Sequence, residues 1–446
     1  MKKTLRILSL LLSVLILLPV VSCGRAEETT AQSDTALTDT DEPTDTDEPT
    51  DTDEPTDTVP PVTSAPDTAE PTEKTAPVEN IQTWTLNDGK QLVIGIYCET
   101  EPDSMVYVAR RDGEVLISEH ALDRYFYGMY ILPEGSRGQT VYIYSKADGK
   151  LISDASPAVR LEYKYDEAGN LICGSGAFIG RDSHVYLNYY DAFYNGEVTC
   201  DEETMRNVRG YLEAQLAAIR AKTGKNTKII SIVCTNPAVI YHDNQYTEEE
   251  GGRGDHFTET PVTRFAEYMK DSDDIYFLDL RDILMQHRDK LLFMQADSHW
   301  TQIAAYYGYY RAAEKIHKDF PQVKAYDLEE DFTTEIVPGG GDLLWFMGVA
   351  DRVAAVNGIV TPIDPSMYAK DDFPTAYVMG DSYYGAISPF LDLLFSEIYL
   401  NHPETNPPLY DYRLDDLETR QPDYLVYIWT ERNISGDLGM LLNIRP

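Results

Sequence analysis

From residue 81 to about 162 apolar and polar positions alternate in short runs: Gln91 to Cys98, Met105 to Arg110, Arg124 to Leu132, Gln139 to Tyr144 and Ala158 to Tyr163. A period of two places every second side chain on one face, so each run predicts a half-buried strand. Asp112-Gly113 and Asp148-Gly149 fall between such runs, and Asp-Gly supplies the positive φ that a tight hairpin needs. Short strands packed this densely over residues 81–165 predict a small β-sandwich of immunoglobulin or fibronectin type. Its plainest role is a spacer, and Trp84 and Tyr125 are the aromatic candidates should it bind glycan. Beyond Leu171 the pattern changes. Thr199-Cys200-Asp201-Glu202 has capping-box spacing and opens a helical period through Met205, Val208, Leu212, Leu216 and Ile219. Apolar runs of strand length follow at Lys228 to Cys234, Ile275 to Leu280, Ala376 to Gly380, Glu397 to Asn401 and Tyr424 to Thr430, with helical stretches between them. That alternation predicts a three-layer α/β domain with a mostly parallel sheet over residues 170–446. In such sheets active groups gather at the carboxyl ends of the strands.

The first 80 residues read as an address and a tether. Lys2, Lys3 and Arg6 precede an apolar run from Ile7 to Val21, shorter than the span of about 20 residues that a bilayer needs, so residues 1–22 read as a signal peptide. Val20-Val21-Ser22-Cys23 resembles a bacterial lipobox, which implies that Cys23 receives diacylglycerol and anchors the chain at the outer face of the cell membrane. No later segment is apolar for 18 residues. Between Cys23 and Asn80 the hexapeptide Thr-Asp-Thr-Asp-Glu-Pro occurs three times, and little there offsets the entropy of ordering. The segment is expected to be a disordered stalk, roughly 45 Å from end to end.

Charge narrows the partners. The chain carries 75 acidic against 37 basic residues, a formal charge of −38. Residues 24–80 hold 17 acids and 2 bases, and the remainder is acidic too. Such a surface repels nucleic-acid phosphates, so nucleic acid is excluded as a partner. Cys98, Cys173, Cys200 and Cys234 match no zinc spacing and stand as bridged pairs or buried thiols. No cluster with metal-ligand spacing stands out.

The chemistry gathers at two places. Ala376-Tyr377-Val378-Met379 runs into Gly380-Asp381-Ser382, with a helix read from Ala386 to Phe395. A serine at a strand-to-helix turn presents its hydroxyl at the sheet edge, with backbone N–H groups placed to stabilise an oxyanion. Ser382 is therefore the candidate nucleophile. A serine also needs a base, and the base a carboxylate. Asp297-Ser298-His299-Trp300-Thr301 supplies both, since Asp297 and His299 project to one side of an extended segment and Thr301 caps a helix through Ala304, Tyr307, Ala312 and Ile316. Trp300 and Tyr383 are candidates for the wall of a substrate groove, although for Trp300 packing that fixes the loop is the favoured reading. Asp182-Ser183-His184 repeats the triplet without a capped helix behind it, and His242-Asp243 and Asp255-His256 read as loop pairs.

Asp-x-His-Trp-Thr before a helix, then Gly-Asp-Ser some eighty residues later, resembles the AlgX/AlgJ-type SGNH hydrolase-like domain and the related DHHW family. Gly341-Asp342-Leu343 and Glu431-Arg432-Asn433 fall in the matching order. The resemblance implies Ser382 as nucleophile, His299 as base and Asp297 as its orienter, with action on an extracytoplasmic polysaccharide. It implies an O-acetyltransferase working through an acetyl-serine without a dissociable cofactor, and a membrane-bound O-acyltransferase partner that exports the acetyl group. The Gly-x-Asn-Asp block of common SGNH esterases is missing, which leaves Gly380, Asp381, Gly341 and Asn401 as candidates for the oxyanion hole or its support. A carbohydrate acetylesterase with the same triad and a non-catalytic glycan-binding surface protein are the competing readings.

Overall fold

The computed structural model describes residues 80–86, 91–163, 173–174, 177–180, 184–187, 200–244, 259–346, 355–400, 414–434, 438 and 441. The signal peptide, Cys23, the acidic stalk and Asn401 lie outside them, as do the side chains of Trp84 and Cys173.

The alternating runs form strands β1 (Asn80–Leu86), β2 (Gln91–Glu99), β3 (Met105–Arg110), β4 (Val115–His120), β5 (Tyr125–Ile131), β6 (Thr140–Ala147), β7 (Lys150–Leu151), β8 (Val159–Arg160) and β9 (Cys173–Gly174). They pair as two sheets, ordered β5-β2-β1-β9 and β4-β3-β6-β7, with β8 alongside β6. The Asp-Gly signals work as expected. Asp148 and Gly149 take φ of 49° and 73° in the turn that pairs Ala147 with Lys150, and Gly113 takes 90° between β3 and β4. Leu92, Ile94, Ile96 and Cys98 of β2 share one buried cluster with Val106, Val108, Val141 and Ile143 of the other sheet, so the two sheets close on a common core.

The reading of this module as a spacer needs correction. Val93, Tyr125, Tyr127 and Met129, on the opposite face of β2 and β5, belong to the main core of the α/β domain. The sheet is thus buried on both faces and forms a layer of the larger unit. Tyr125 is 4% exposed and packs inside, so it offers no face to a sugar.

Strands β10 (Ala177–Ile179) and β11 (Val185–Leu187) form a small ribbon before helix α1 (Glu202–Thr223). The cap of α1 is Asp201, whose Oδ1 accepts from Thr204 N at 2.7 Å. The capping-box reading placed this role on Thr199, which lies outside the described residues; the nearer carboxylate does the work. The remaining strands are β12 (Lys228–Cys234), β13 (Ile275–Asp279), β14 (Phe332–Pro338), β15 (Val356–Pro362), β16 (Thr375–Gly380), β17 (Glu397–Leu400) and β18 (Tyr424–Thr430). Five of them make one sheet, ordered β13-β12-β18-β16-β17, and every pairing in it is parallel. Helices α2 (Pro261–Met269), α3 (Gln302–Ile316), α4 (Leu343–Phe346), α5 (Tyr384–Leu391), α6 (Leu414–Arg420) and α7 (Glu431–Ile434) complete the elements used below.

The apolar runs alternate between two cores, one on each face of this sheet. Ile230, Ile232, Val426, Ile428 and Val378 join Ile303, Ala304, Tyr309 and Ile316 of α3 on one side. Ile229, Val233, Leu425, Tyr427 and Met379 join Val208, Leu212 and Ile219 of α1 and Phe265 of α2 on the other. A strand covered on both faces has no polar face to show, which is why Tyr424–Thr430 is buried throughout. Cys98, Cys200 and Cys234 are free and buried, so none of these three is bridged to another. No helix among the described residues is long and apolar enough to cross a membrane.

Candidate active site

The sheet order sets the site. β16 and β18 are parallel neighbours, with Gly380 opposite Ile428, so the segments leaving their carboxyl ends lie side by side. One segment is Asp381-Ser382 entering α5; the other is Glu431-Arg432-Asn433 in α7. Helix α5 begins at Tyr384, two residues earlier than the sequence pattern indicates. The third segment, 291–301, folds back on itself through a bridge between Phe293 and Trp300 and delivers its histidine just before α3. Thr301 caps α3, its side chain accepting from the N–H groups of Ile303 and Ala304.

His299 lies between its two partners. Nδ1 donates to Asp297 Oδ1 at 2.7 Å, and Nε2 accepts from the Ser382 hydroxyl at 2.7 Å. Residues 83 positions apart therefore meet at hydrogen-bond distance, with Ser382 open to solvent and Asp297 only 5% exposed. Asp297 is held from four sides. Oδ1 also accepts from His299 N at 2.9 Å, while Oδ2 accepts from Gly341 N at 2.6 Å and Asp342 N at 2.8 Å. Burial alone would push this carboxyl up; the His299 hydrogen bond and charge, helped by the backbone donors, bring it below the usual carboxylate range. Gly340 and Gly341 have φ of 85° and 110°, and a Cβ on Gly340 would lie 2.5 Å from Met294 Sδ. Glycine here lets the backbone amides reach the carboxylate.

A second carboxylate reaches the same imidazole. Asp342 Oδ2 lies 3.4 Å from His299 Nδ1 and accepts from Ser298 Oγ at 2.5 Å, while Oδ1 accepts from Ser298 N at 2.6 Å. Burial pulls the His299 pKa down, but the hydrogen bonds and charges of Asp297 and Asp342 outweigh it and raise it to about 9. Asp297, His299 and Asp342 bring ligand atoms together as a metal site would, although hydrogen bonding already accounts for each of them. Because the neutral imidazole is the base, kcat/KM for a small acetyl ester is expected to climb through pH 8 toward 9 instead of levelling near 7. Asp342→Asn is expected to move that rise to lower pH, and a pH–rate profile of both proteins checks it. The raised pKa has a folding counterpart: its stabilisation is complete below about pH 6.5 and is lost as pH rises through 9.

The other expected site residues sit beneath this surface. Asp381 is 3% exposed; Oδ1 accepts from Tyr383 N at 2.9 Å, and Oδ2 accepts from Thr430 N at 2.7 Å and Asn433 Nδ2 at 2.9 Å. It ties the nucleophile turn to the end of β18. Gly380 packs so closely on β18 that a Cβ would stand 2.9 Å from Ile428 O. The Gly341 amide is committed to Asp297, so of the two roles open to it, this residue supports the carboxylate and does not donate to an oxyanion. Tyr383 is corrected from groove wall to packing, and Trp300 takes the packing role that the sequence favours over a groove wall. Trp300 and Tyr383 are 1% and 0% exposed, Trp300 Nε1 donates to Tyr383 O at 2.8 Å, and the Tyr383 hydroxyl donates to Ser298 O. Sequence reasoning gave no role to Arg432, whose guanidinium donates to Ser298 O at 3.0 Å, Tyr383 Oη at 3.1 Å and Ser298 Oγ at 3.2 Å. Its place directly after a buried strand, inside Glu431-Arg432-Asn433, is the signal that marks it. Of the rival pairs, Asp182, Ser183, Asp255 and His256 lie outside the described residues. The His184 ring packs on Tyr241, and Asp243 pairs with Arg288.

Residues 193–386 match the family model of an SGNH hydrolase-like domain described for the acetyltransferase AlgX. No curated protein matches the chain. Among solved structures, the chain is similar to the O-acetyltransferase domain of Pseudomonas putida AlgJ at 16% identity, covering 60% of this chain and 99% of that one with a TM-score of 0.37. It is similar to a DHHW family protein from Eubacterium siraeum at 12% identity, covering 68% and 94% with a TM-score of 0.36. PatB1 of Bacillus cereus matches at 11% identity over 60% and 97%, with a TM-score of 0.41. Within the α/β part, residues 193–386 are thus similar to the SGNH hydrolase-like domain of the AlgX type.

Proposed function

We propose that this chain is an extracytoplasmic O-acetyltransferase that uses Ser382, His299 and Asp297 to move an acetyl group onto a hydroxyl of a polysaccharide. The observation that carries the reading is the unbroken line from Asp297 through His299 to Ser382, each link 2.7 Å long. His299 takes the hydroxyl proton as Ser382 Oγ attacks the acetyl carbonyl, and Asp297 stabilises the imidazolium so formed. The Ser382 N–H, at the start of α5, faces the developing oxyanion. Collapse expels the donor's leaving oxygen, which takes the proton from His299, and leaves acetyl-Ser382. A sugar hydroxyl then attacks that ester, giving its proton to His299, and the serine is regenerated. Nothing in this cycle calls for a dissociable cofactor.

On this reading a lipid on Cys23 tethers the chain outside the membrane, the acidic stalk gives it reach, and a membrane-bound O-acyltransferase supplies the acetyl group. An acetylesterase differs only in the acceptor, water in place of sugar. The two are separated by giving the protein a small acetyl ester and a soluble oligosaccharide and following both products. O-acetylated sugar is the expected outcome; free acetate with unmodified sugar would point to the esterase.

A further inference from the structure

Three tryptophan side chains are described, and they divide sharply: Trp300 is 1% and Trp429 0% exposed, while Trp345 is 68% exposed. Tryptophan is among the most buried side chains on average, and leaving one in water forgoes a large share of the hydrophobic gain of folding. Its position is informative. Trp345 stands in the short helix α4, its N–H donating to Asp342 O at 3.2 Å. Asp342 in turn lies 3.4 Å from the His299 imidazole. Through its backbone, the residue that carries the exposed indole is therefore one helical turn from a carboxylate that touches the base.

We infer that Trp345 is the stacking platform for a pyranose ring of an electrically neutral glycan acceptor, held beside Ser382. This rests on the proposed acyl transfer and adds the acceptor's class and a contact. An indole presents a flat apolar face with a negative quadrupole, and the C–H face of a pyranose is its complement in size and polarity. The neutrality follows from charge. A chain at −38, acidic also outside its stalk, repels a polyuronate or polyphosphate acceptor, whereas an uncharged sugar chain meets no such barrier.

The test is calorimetric titration of the full chain carrying Ser382→Ala, so that no turnover occurs, with a panel of neutral hexasaccharides and with hexagalacturonate. Binding of at least one neutral hexasaccharide is expected, weakened about tenfold or more by Trp345→Ala and largely kept by Trp345→Phe. Thermal unfolding of each variant shows that the exposed position does not disturb the fold. Equal affinity with and without the indole, no binding of any neutral hexasaccharide, or tighter binding of hexagalacturonate would each overturn the inference. Ester turnover by the unmodified chain, measured alongside, keeps the two ideas apart. Turnover without Trp345-dependent binding removes the platform and leaves acyl transfer standing; binding without turnover does the reverse.

Discussion

Replacing Ser382 with alanine is expected to lower turnover of a small acetyl ester by about a millionfold in kcat, to the background of the emptied site. The magnitude follows from what is removed. Without Oγ no acyl-enzyme forms, and the only route left is direct attack by water, for which His299 is not aimed. The fold should survive, because Ser382 is exposed and its hydroxyl bonds to the histidine alone among the described residues. Unfolding curves measured beside the kinetics would separate lost chemistry from lost structure. Activity within a factor of a few of the unmodified protein would place the nucleophile elsewhere.

Asp297→Asn is expected to cost about ten-thousandfold in kcat, with a smaller effect on KM. The amide keeps the size of the carboxylate but carries donors where the site offers donors. Asp297 accepts from His299 N, His299 Nδ1, Gly341 N and Asp342 N, so an asparagine must turn its NH2 toward one of these N–H groups. If that group is His299 Nδ1, the ring is driven to the tautomer that points a proton at Ser382 and can no longer act as a base. If it is the backbone pair, the Gly341 loop loses its anchor. Kinetic constants with an acetyl ester measure the loss, and unfolding curves distinguish these outcomes, since loosening the loop lowers the unfolding temperature while a tautomer change leaves it in place. Asp342→Asn should be far milder, because Asp297 still orients the ring.

How much of this was legible beforehand depends on what each residue's type encodes. Lys228–Cys234 and Tyr424–Thr430 are strands with the bounds that the sequence pattern indicates, since runs apolar on both faces between polar ends leave little freedom of assignment. Val115–His120 pairs with β3 but is mostly exposed, with a register shift beside it, so its pattern carries no alternation to read. The Asp297-His299 pair was visible because two residues in an extended segment share a side, and Thr301 fixed where that segment ends. That Ser382 lies against His299 was expected from the order of motifs, not from any local feature. Tyr383 misleads because an aromatic residue beside a catalytic one reads the same whether its ring points out or in, whereas the packing reading of Trp300 agrees with its burial. The role of the Gly341 amide was equally hidden, as a backbone donor has no sequence signature. Asp342 and Trp345 follow β14 and Arg432 follows β18, and a linear reading does not order these two segments in space.

The central claim is that acetyl passes through Ser382. The most direct measurement is to mix the protein with an excess of acetyl ester, quench in acid within the first turnovers and map acetylated residues by mass spectrometry. An acetyl group on the peptide bearing Ser382, absent from Ser382→Ala and chased off by added oligosaccharide, is the predicted result. Turnover in the unmodified protein with the acetyl group found only at another residue would contradict it.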